Sequence, residues 1–120
     1  MTEPTREQVE EEISTELVRV HEDSYGEGAH DVTVLVSEEA VLVILDVVLT
    51  EAEKTLIDAG KHEAVRGARE AYQEAVTTTF KAVIERATGR RVSSWVSRMS
   101  TDPVYSVEVF RLAPRAPRGA

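Results

Sequence analysis

The residues of this chain that could do chemistry are few and far apart. The histidines are His21, His30 and His62, and no two of them stand within one helical turn, the spacing that gives metal ligands a common helical face. The chain has no cysteine, which excludes thiolate catalysis, disulfides and cysteine-ligated zinc. It also lacks a phosphate-binding P-loop and a Gly-x-Ser-x-Gly nucleophile elbow. We therefore predict a non-enzymatic protein without a bound cofactor or metal.

Two polar residues interrupt otherwise apolar patterns. His21 follows Leu17 by four residues, on the apolar stripe of a predicted helix. It could be a pH switch or a ligand, or a residue at the boundary of the core with one ring nitrogen satisfied. Asp46 lies inside the apolar run of residues 40–49. If buried, it needs a partner or a raised pKa; paired with an arginine or facing solvent, it has a structural role. An enzyme that uses His21 or Asp46 is a third interpretation, which we rank behind a non-enzymatic interaction or regulatory domain and a sensor of a small ligand or anion.

Two short segments could bind an anion or a partner. Tyr25, Gly26 and Gly28 belong to a glycine-rich loop, but this Gly-x-Gly precedes a predicted strand and does not open a helix, so it does not predict dinucleotide binding. Arg90 and Arg91 follow the longest predicted helix. They could stabilise its negative end, or they could bind an anion or an acidic partner helix. A ligand site would lie near the glycine-rich loop and the end of this helix.

Charge and hydropathy limit the classes of partner. The 120 residues carry a net charge of −8, with 17 acidic and 4 basic residues in positions 1–63 but 5 acidic and 10 basic residues in positions 64–120. The acidic total argues against nucleic-acid binding, which needs a positive surface. The longest apolar run is far shorter than the roughly 20 residues of a membrane span, so we predict no membrane insertion. The polar start shows no secretory signal pattern, and we expect a cytoplasmic protein.

The periodicity of apolar residues supplies the elements that must position these groups. Thr50 and Glu53 form a capping-box pattern directly after an apolar strand, which fixes a helix start. The longest helix carries an apolar stripe at spacings of three and four residues, formed by Val65, Ala68, Tyr72, Val76, Phe80, Val83 and Ala87. The predicted helices are 4–23, 51–59 and 62–88, and the predicted strands are 32–37, 41–48, 92–99 and 104–112.

The order α-β-β-α-α-β-β predicts an α+β fold in two layers. Two hairpins form a four-stranded, mainly antiparallel sheet, and the first and third helices cover one face. We expect a single domain over residues 1–112 and a disordered tail over residues 113–120. The uncovered face would expose valine and leucine side chains, which predicts a homo-oligomer, most simply a dimer, through the sheet or the long helix. The predicted interaction residues are Arg90, Arg91, Tyr105 and Phe110.

Several segments, taken in order, resemble the MpsC-like domain, a family catalogued as a domain of unknown function. The resemblance spans about residues 5–112, with Ala29 at a position where proline is common in the family. The segments are Leu17-Val18-Arg19-Val20-His21, residues 25–28, 48–56 and 88–92, and Asp102-Pro103 followed by residues 107–110.

This resemblance implies a role beside membrane subunits. The family takes its name from a sodium-translocating system that generates membrane potential, linked to cation and inorganic-carbon uptake. The resemblance brings no catalytic residues with it. It favours a non-enzymatic interaction or regulatory domain that contacts membrane transport subunits through protein surfaces. The alternative is a sensor domain that binds a small ligand or an anion.

Overall fold

The helices and strands follow the predicted order. The computed structural model of the protein describes residues 3–26 and 30–115, so Gly28, Ala29 and positions 116–120 of the predicted tail lie outside the described residues. Within these ranges the helices are α1 (Arg6–Tyr25), α2 (Glu51–Asp58) and α3 (His62–Thr88), and the strands are β1 (His30–Val36), β2 (Ala40–Val47), β3 (Val92–Thr101) and β4 (Val104–Leu112).

The strands form one open antiparallel sheet in the order β1-β2-β4-β3. The β1–β2 and β3–β4 hairpins join side by side through β2 and β4, where Val43 lies opposite Glu108. The predicted α+β class and antiparallel sheet are confirmed.

Local hydrogen bonds define where the first two helices begin. The predicted capping box is confirmed: Thr50 Oγ1 accepts from the Glu53 N–H at 3.2 Å, and Glu53 Oε1 accepts from the Thr50 N–H at 2.9 Å. A second capping box, which the sequence analysis missed, joins Thr5 and Gln8 at the start of α1. Helix α3 ends at Gly89, whose φ of 70° is in the left-handed region that glycine adopts without strain.

Helices α1 and α3 pack antiparallel against one face of the sheet. The end of α1, at Tyr25, contacts Tyr72, whereas its start lies beside the last turn of α3, where Val9 and Ala87 line one groove. Alternating side chains of β2 and β4 complete the core between the layers. The core residues are Ile13, Leu17, Val34, Val41, Val43, Leu45, Phe80, Val83, Ile84, Phe110 and Leu112.

The buried face of α3 differs from the predicted stripe. Val65, Phe80 and Val83 are buried as expected. Ala68 is exposed, and the predicted stripe is wrong at this position, because the helix turns its next residue, Arg69, towards the sheet. Gln73 and Ile84 are also buried on this side of the helix. The helix therefore places two polar side chains, Arg69 and Gln73, in the interior.

The other face of the sheet, here called the helix-free face, carries exposed aliphatic side chains. Leu35 on β1 is 53% exposed and Val96 on β3 is 63% exposed. No helix within the described ranges is both long enough and apolar enough to cross a membrane.

Candidate functional site

A polar network lies between the helices and the sheet, centred on Glu108. The period of two in β4 turns Ser106, Glu108 and Phe110 towards the helices, so a carboxyl group occupies a core position. The Glu108 side chain has no exposed surface. Its oxygens accept hydrogen bonds from Gln73 Nε2 at 2.5 Å, Trp95 Nε1 at 2.7 Å and Ser97 Oγ at 3.0 Å.

Burial raises the pKa of Glu108, and the hydrogen bonds from Trp95, Ser97 and Gln73 act in the opposite direction. No cation within the described residues forms an ion pair with this carboxyl group. A buried carboxylate held only by neutral donors is costly, and it depends on each of those donors.

His21 reaches the same interior from α1. Its side chain is buried, and its Nδ1 lies 3.1 Å from the carbonyl oxygen of Leu17. The ring meets the edge of Phe80 at a centroid distance of 5.3 Å and is stacked on Tyr25 at 6.4 Å. Burial lowers the pKa of His21, and the nearby charge of Arg69 lowers it further. The imidazole is therefore held neutral inside the fold and does not lie at the boundary of the core.

A buried ion pair joins the start of α2 to α3. Arg69 Nε lies 2.6 Å from Glu53 Oε2, and Arg69 Nη2 lies 2.6 Å from Glu53 Oε1, a bidentate arrangement. Burial alone would raise the pKa of Glu53, but hydrogen bonds from Arg69 and from the Thr50 N–H lower it below its ordinary value. The guanidinium carbon of Arg69 also lies 3.8 Å from the centroid of the Tyr25 ring, a cation–π contact.

A narrow crevice runs beside this network. Its walls include His21, Tyr25, Arg69, Tyr72 and Gln73. It encloses about 10 Å³, which is room for about one water molecule. Among the described residues, this crevice therefore has no space for an organic ligand.

A larger groove lies at the other end of the α1–α3 layer, and we call it the arginine groove. It encloses about 490 Å³ between the start of α1, the β1–β2 turn and the end of α3. Its apolar lining residues are Pro4, Val9, Val36, Ala87 and Leu112, and its charged lining residues are Glu3, Arg6, Glu38, Arg90 and Arg115.

Arg90 holds the wall of the arginine groove together. Its Nη1 donates to the carbonyl oxygen of Glu38 at 2.6 Å, and its Nη2 donates to the carbonyl oxygen of Ala113 at 2.8 Å. The buried Nε of Arg90 has no hydrogen-bond partner within the described residues. Arg115 lies 3.4 Å from the Glu38 carboxylate. Arg90 thus joins the β1–β2 turn to the segment after β4, and part of this segment belongs to the predicted tail.

The structure separates the two halves of the predicted ligand site. Tyr25 and Gly26 end α1 beside the crevice, whereas Arg90 lines the arginine groove at the far end of the helical layer. The two positions cannot form one site, because α1 and α3 run antiparallel along their whole contact. Gly28 lies outside the described residues.

The predicted interaction residues also lie apart from one another. Arg91 is exposed and does not line the arginine groove, and Tyr105 is 39% exposed on the helix-free face. Phe110 is fully buried, which corrects its predicted place on the surface, because it shares the covered face of β4 with Glu108. Asp46 is exposed on the helix-free face, opposite Asp31 of β1. The Asp46 side chain therefore faces solvent, which is one of the interpretations that the sequence left open.

The polar network itself was missed by sequence reasoning. A signal was present, because Arg69 and Gln73 follow Val65 at intervals of four residues on one helical face. The described residues contain no cluster of three or more histidine, aspartate or glutamate side chains that could hold a metal ion.

This architecture defines a class of protein, a two-layer α+β domain with one sheet face covered and the other exposed. A family model described as "Na+-translocating membrane potential-generating system (MpsC)" matches residues 5–114, nearly the whole chain. The protein belongs to the MpsC family, as its resemblance implied. No curated protein and no solved structure gives a significant match.

Proposed function

We propose that this protein is a non-enzymatic interaction domain of an Na+-translocating system that generates membrane potential, and that it docks an acidic segment of a membrane subunit in the arginine groove. The observation that carries this proposal is the groove itself, with its apolar floor and arginine rim. The family description supports the link to the sodium system. The domain acts on the cytoplasmic side, as a homodimer.

The chemistry of the groove selects its occupant. Arginine binds carboxylates in bidentate geometry, and Arg6 and Arg115 are exposed at the rim, where an incoming carboxylate can reach them. Glu38 is the present partner of Arg115, but both side chains are more than 60% exposed, so their ion pair contributes little. A carboxylate of the docked acidic segment can replace Glu38 as the partner of Arg115, while aliphatic side chains of that segment cover Val9 and Ala87.

Reversing the charge at the rim is expected to weaken docking. The variant Arg6→Glu/Arg115→Glu should recover at least about tenfold less of the system's membrane subunits when both are co-expressed and purified in detergent, because two charge-assisted contacts become repulsive. The matched control is Arg19→Glu/Arg86→Glu, which changes the net charge equally at exposed positions outside the groove. Equal recovery with both variants would contradict docking in the groove.

A small-anion sensor, the alternative function, would use the same groove. The unpartnered Nε of Arg90 favours this site, and the crevice beside Tyr25 has room only for about one water. A rise in the unfolding midpoint with phosphate or bicarbonate, lost in Arg6→Glu/Arg115→Glu, would favour the sensor function over docking.

A further inference from the structure

The helix-free face carries its apolar side chains in an ordered row. The strand register places Leu35 opposite Leu42, Leu42 opposite Val109, and Val109 opposite Val96, so these four side chains cross the whole sheet. The next row along the strands follows the same pairing and contains Thr33, Ile44, Val107 and Arg98. A continuous aliphatic surface of this size on an open sheet is typical of an interface.

Charged side chains of both signs lie on this face. Arg111 of β4 is exposed at one end of it, in the row of Ala40 and Ser94, and three other charged residues lie towards the opposite end. Asp31 and Asp46 are directly opposite each other on β1 and β2, an arrangement of like charges that destabilises a strand pair. Arg98 lies at the other edge of the sheet, on β3. Within the described part of the chain, none of these three residues has an ion-pair partner.

We propose that the helix-free faces of two copies of this chain pack together about a two-fold axis parallel to the strands. The inference rests on the self-association in the proposed function and names its surface. Such an axis places β1 of one copy over β3 of the other. Leu35 then covers Val96 of the second copy, and Leu42 covers Val109, so the apolar row packs on itself. Asp31 comes to lie beside Arg98 of the second copy, and symmetry forms this ion pair twice.

The other in-plane axis fits this face poorly. A two-fold axis in the interface but perpendicular to the strands would place each strand over the same strand of the second copy, with the order of the rows reversed. Arg98 would then lie over Val96 of the second copy, burying a charge against an aliphatic side chain. The axis parallel to the strands avoids this contact and sets Arg98 beside Asp31 of the second copy. Arg111 then lies over Ala40 of the second copy at the end of the interface, where its guanidinium can reach solvent.

The face is small for a dimer interface. Four strands and four rows of side chains cover roughly 19 × 20 Å, or about 400 Å² on each copy. Two such surfaces amount to about 800 Å² in total, below the roughly 1,200 Å² at which stable specific interfaces begin and within the range of weak, transient ones. We therefore expect a reversible dimer with a dissociation constant in the micromolar range.

Sedimentation velocity between about 1 and 500 µM tests this dimer. The wild type should pass from monomer to dimer, and Val96→Glu should remain monomeric. Asp31→Arg and Arg98→Asp should each raise the dissociation constant about tenfold or more, and the two changes together should restore it to within about threefold. The control Leu56→Glu changes a leucine of α2 that is 40% exposed and away from this face, and it should leave the dimer unchanged.

Each other outcome overturns a defined part of the inference. A wild type that stays monomeric at the highest concentration refutes self-association. A dimer that Val96→Glu leaves intact refutes the helix-free face as its interface, and a double variant that fails to restore dimerisation refutes the proposed axis. Since Asp31→Arg removes the repulsion with Asp46, it should also raise the unfolding midpoint, which separates dissociation from unfolding. Docking in the arginine groove is measured independently of all these results.

Discussion

Replacing Glu108 with alanine is expected to lower the free energy of unfolding by about 3–5 kcal/mol. The change empties a fully buried position and leaves the donors of Gln73, Trp95 and Ser97 without their acceptor. Urea unfolding followed by tryptophan fluorescence measures this loss. The probe is well placed, because Trp95 is the single tryptophan of the chain and donates directly to Glu108.

The pH dependence of Glu108 has a definite sign. Its folded-state pKa lies above the ordinary value of 4.5 because of burial, so its contribution to stability is fully present below pH 4.5. This contribution is lost as the pH rises through the folded-state pKa. The stability of the wild type relative to Glu108→Gln should therefore decrease from about pH 4 upwards. The control Glu74→Ala removes an exposed carboxyl group of α3; an equal loss of stability in Glu74→Ala and Glu108→Ala would contradict a structural role for the network.

Replacing Arg69 with methionine is expected to cost about 3 kcal/mol of unfolding free energy. Methionine fills much of the space but leaves the largely buried carboxylate of Glu53 without its bidentate partner. It also removes the cation–π contact with Tyr25. Since Glu53 is part of the capping box of α2, the loss should loosen this helix from α3. Urea unfolding measures the change.

A half-buried arginine of the same helix, whose acidic partner is exposed, supplies the control for Arg69. Arg66 pairs with Glu63 at 3.0 Å, but the Glu63 side chain is 80% exposed, so Arg66→Met should cost less than about 1 kcal/mol. The double variant Arg69→Met/Glu53→Gln should be more stable than the sum of its single changes predicts, because it leaves no unpaired charge. Similar losses in Arg69→Met and Arg66→Met would show that burial gives the pair no special role.

Local signals in the sequence predicted the elements of the fold. The predicted bounds of α3 and β4, residues 62–88 and 104–112, agree with the structure. Capping residues and glycines act over three or four positions, so the start of α2 at Thr50 and the end of α3 at Gly89 are visible without tertiary information.

The polar network depends on contacts between distant segments, so periodicity alone could not predict it. Gln73 and Glu108 are 35 positions apart in the chain, and their hydrogen bond pairs two polar groups that the core would otherwise leave unpaired. The alternation of β4 assigns Tyr105 and Phe110 to opposite faces but does not say which face the helices cover. Phe110 was therefore predicted on the surface, although it belongs to the core.

The position of the groove also required the tertiary structure. The sequence places Tyr25 at the end of one helix and Arg90 at the end of another, and both ends carry groups that could bind a ligand. Only the antiparallel packing of α1 and α3 separates them and brings Arg90 beside the start of α1.

The central claim is that the arginine groove connects this domain to the Na+-translocating system that generates membrane potential. Membrane potential measured in cells tests this claim most directly. Cells that lack the protein would be complemented with wild type, Arg6→Glu/Arg115→Glu or Arg19→Glu/Arg86→Glu and followed with a potential-sensitive dye, in sodium medium and in sodium-free medium. We predict that the wild type and the Arg19→Glu/Arg86→Glu control restore the sodium-dependent part of the potential, and that the groove variant does not. Full restoration by the groove variant, or a potential unaffected by loss of the protein, would contradict the account.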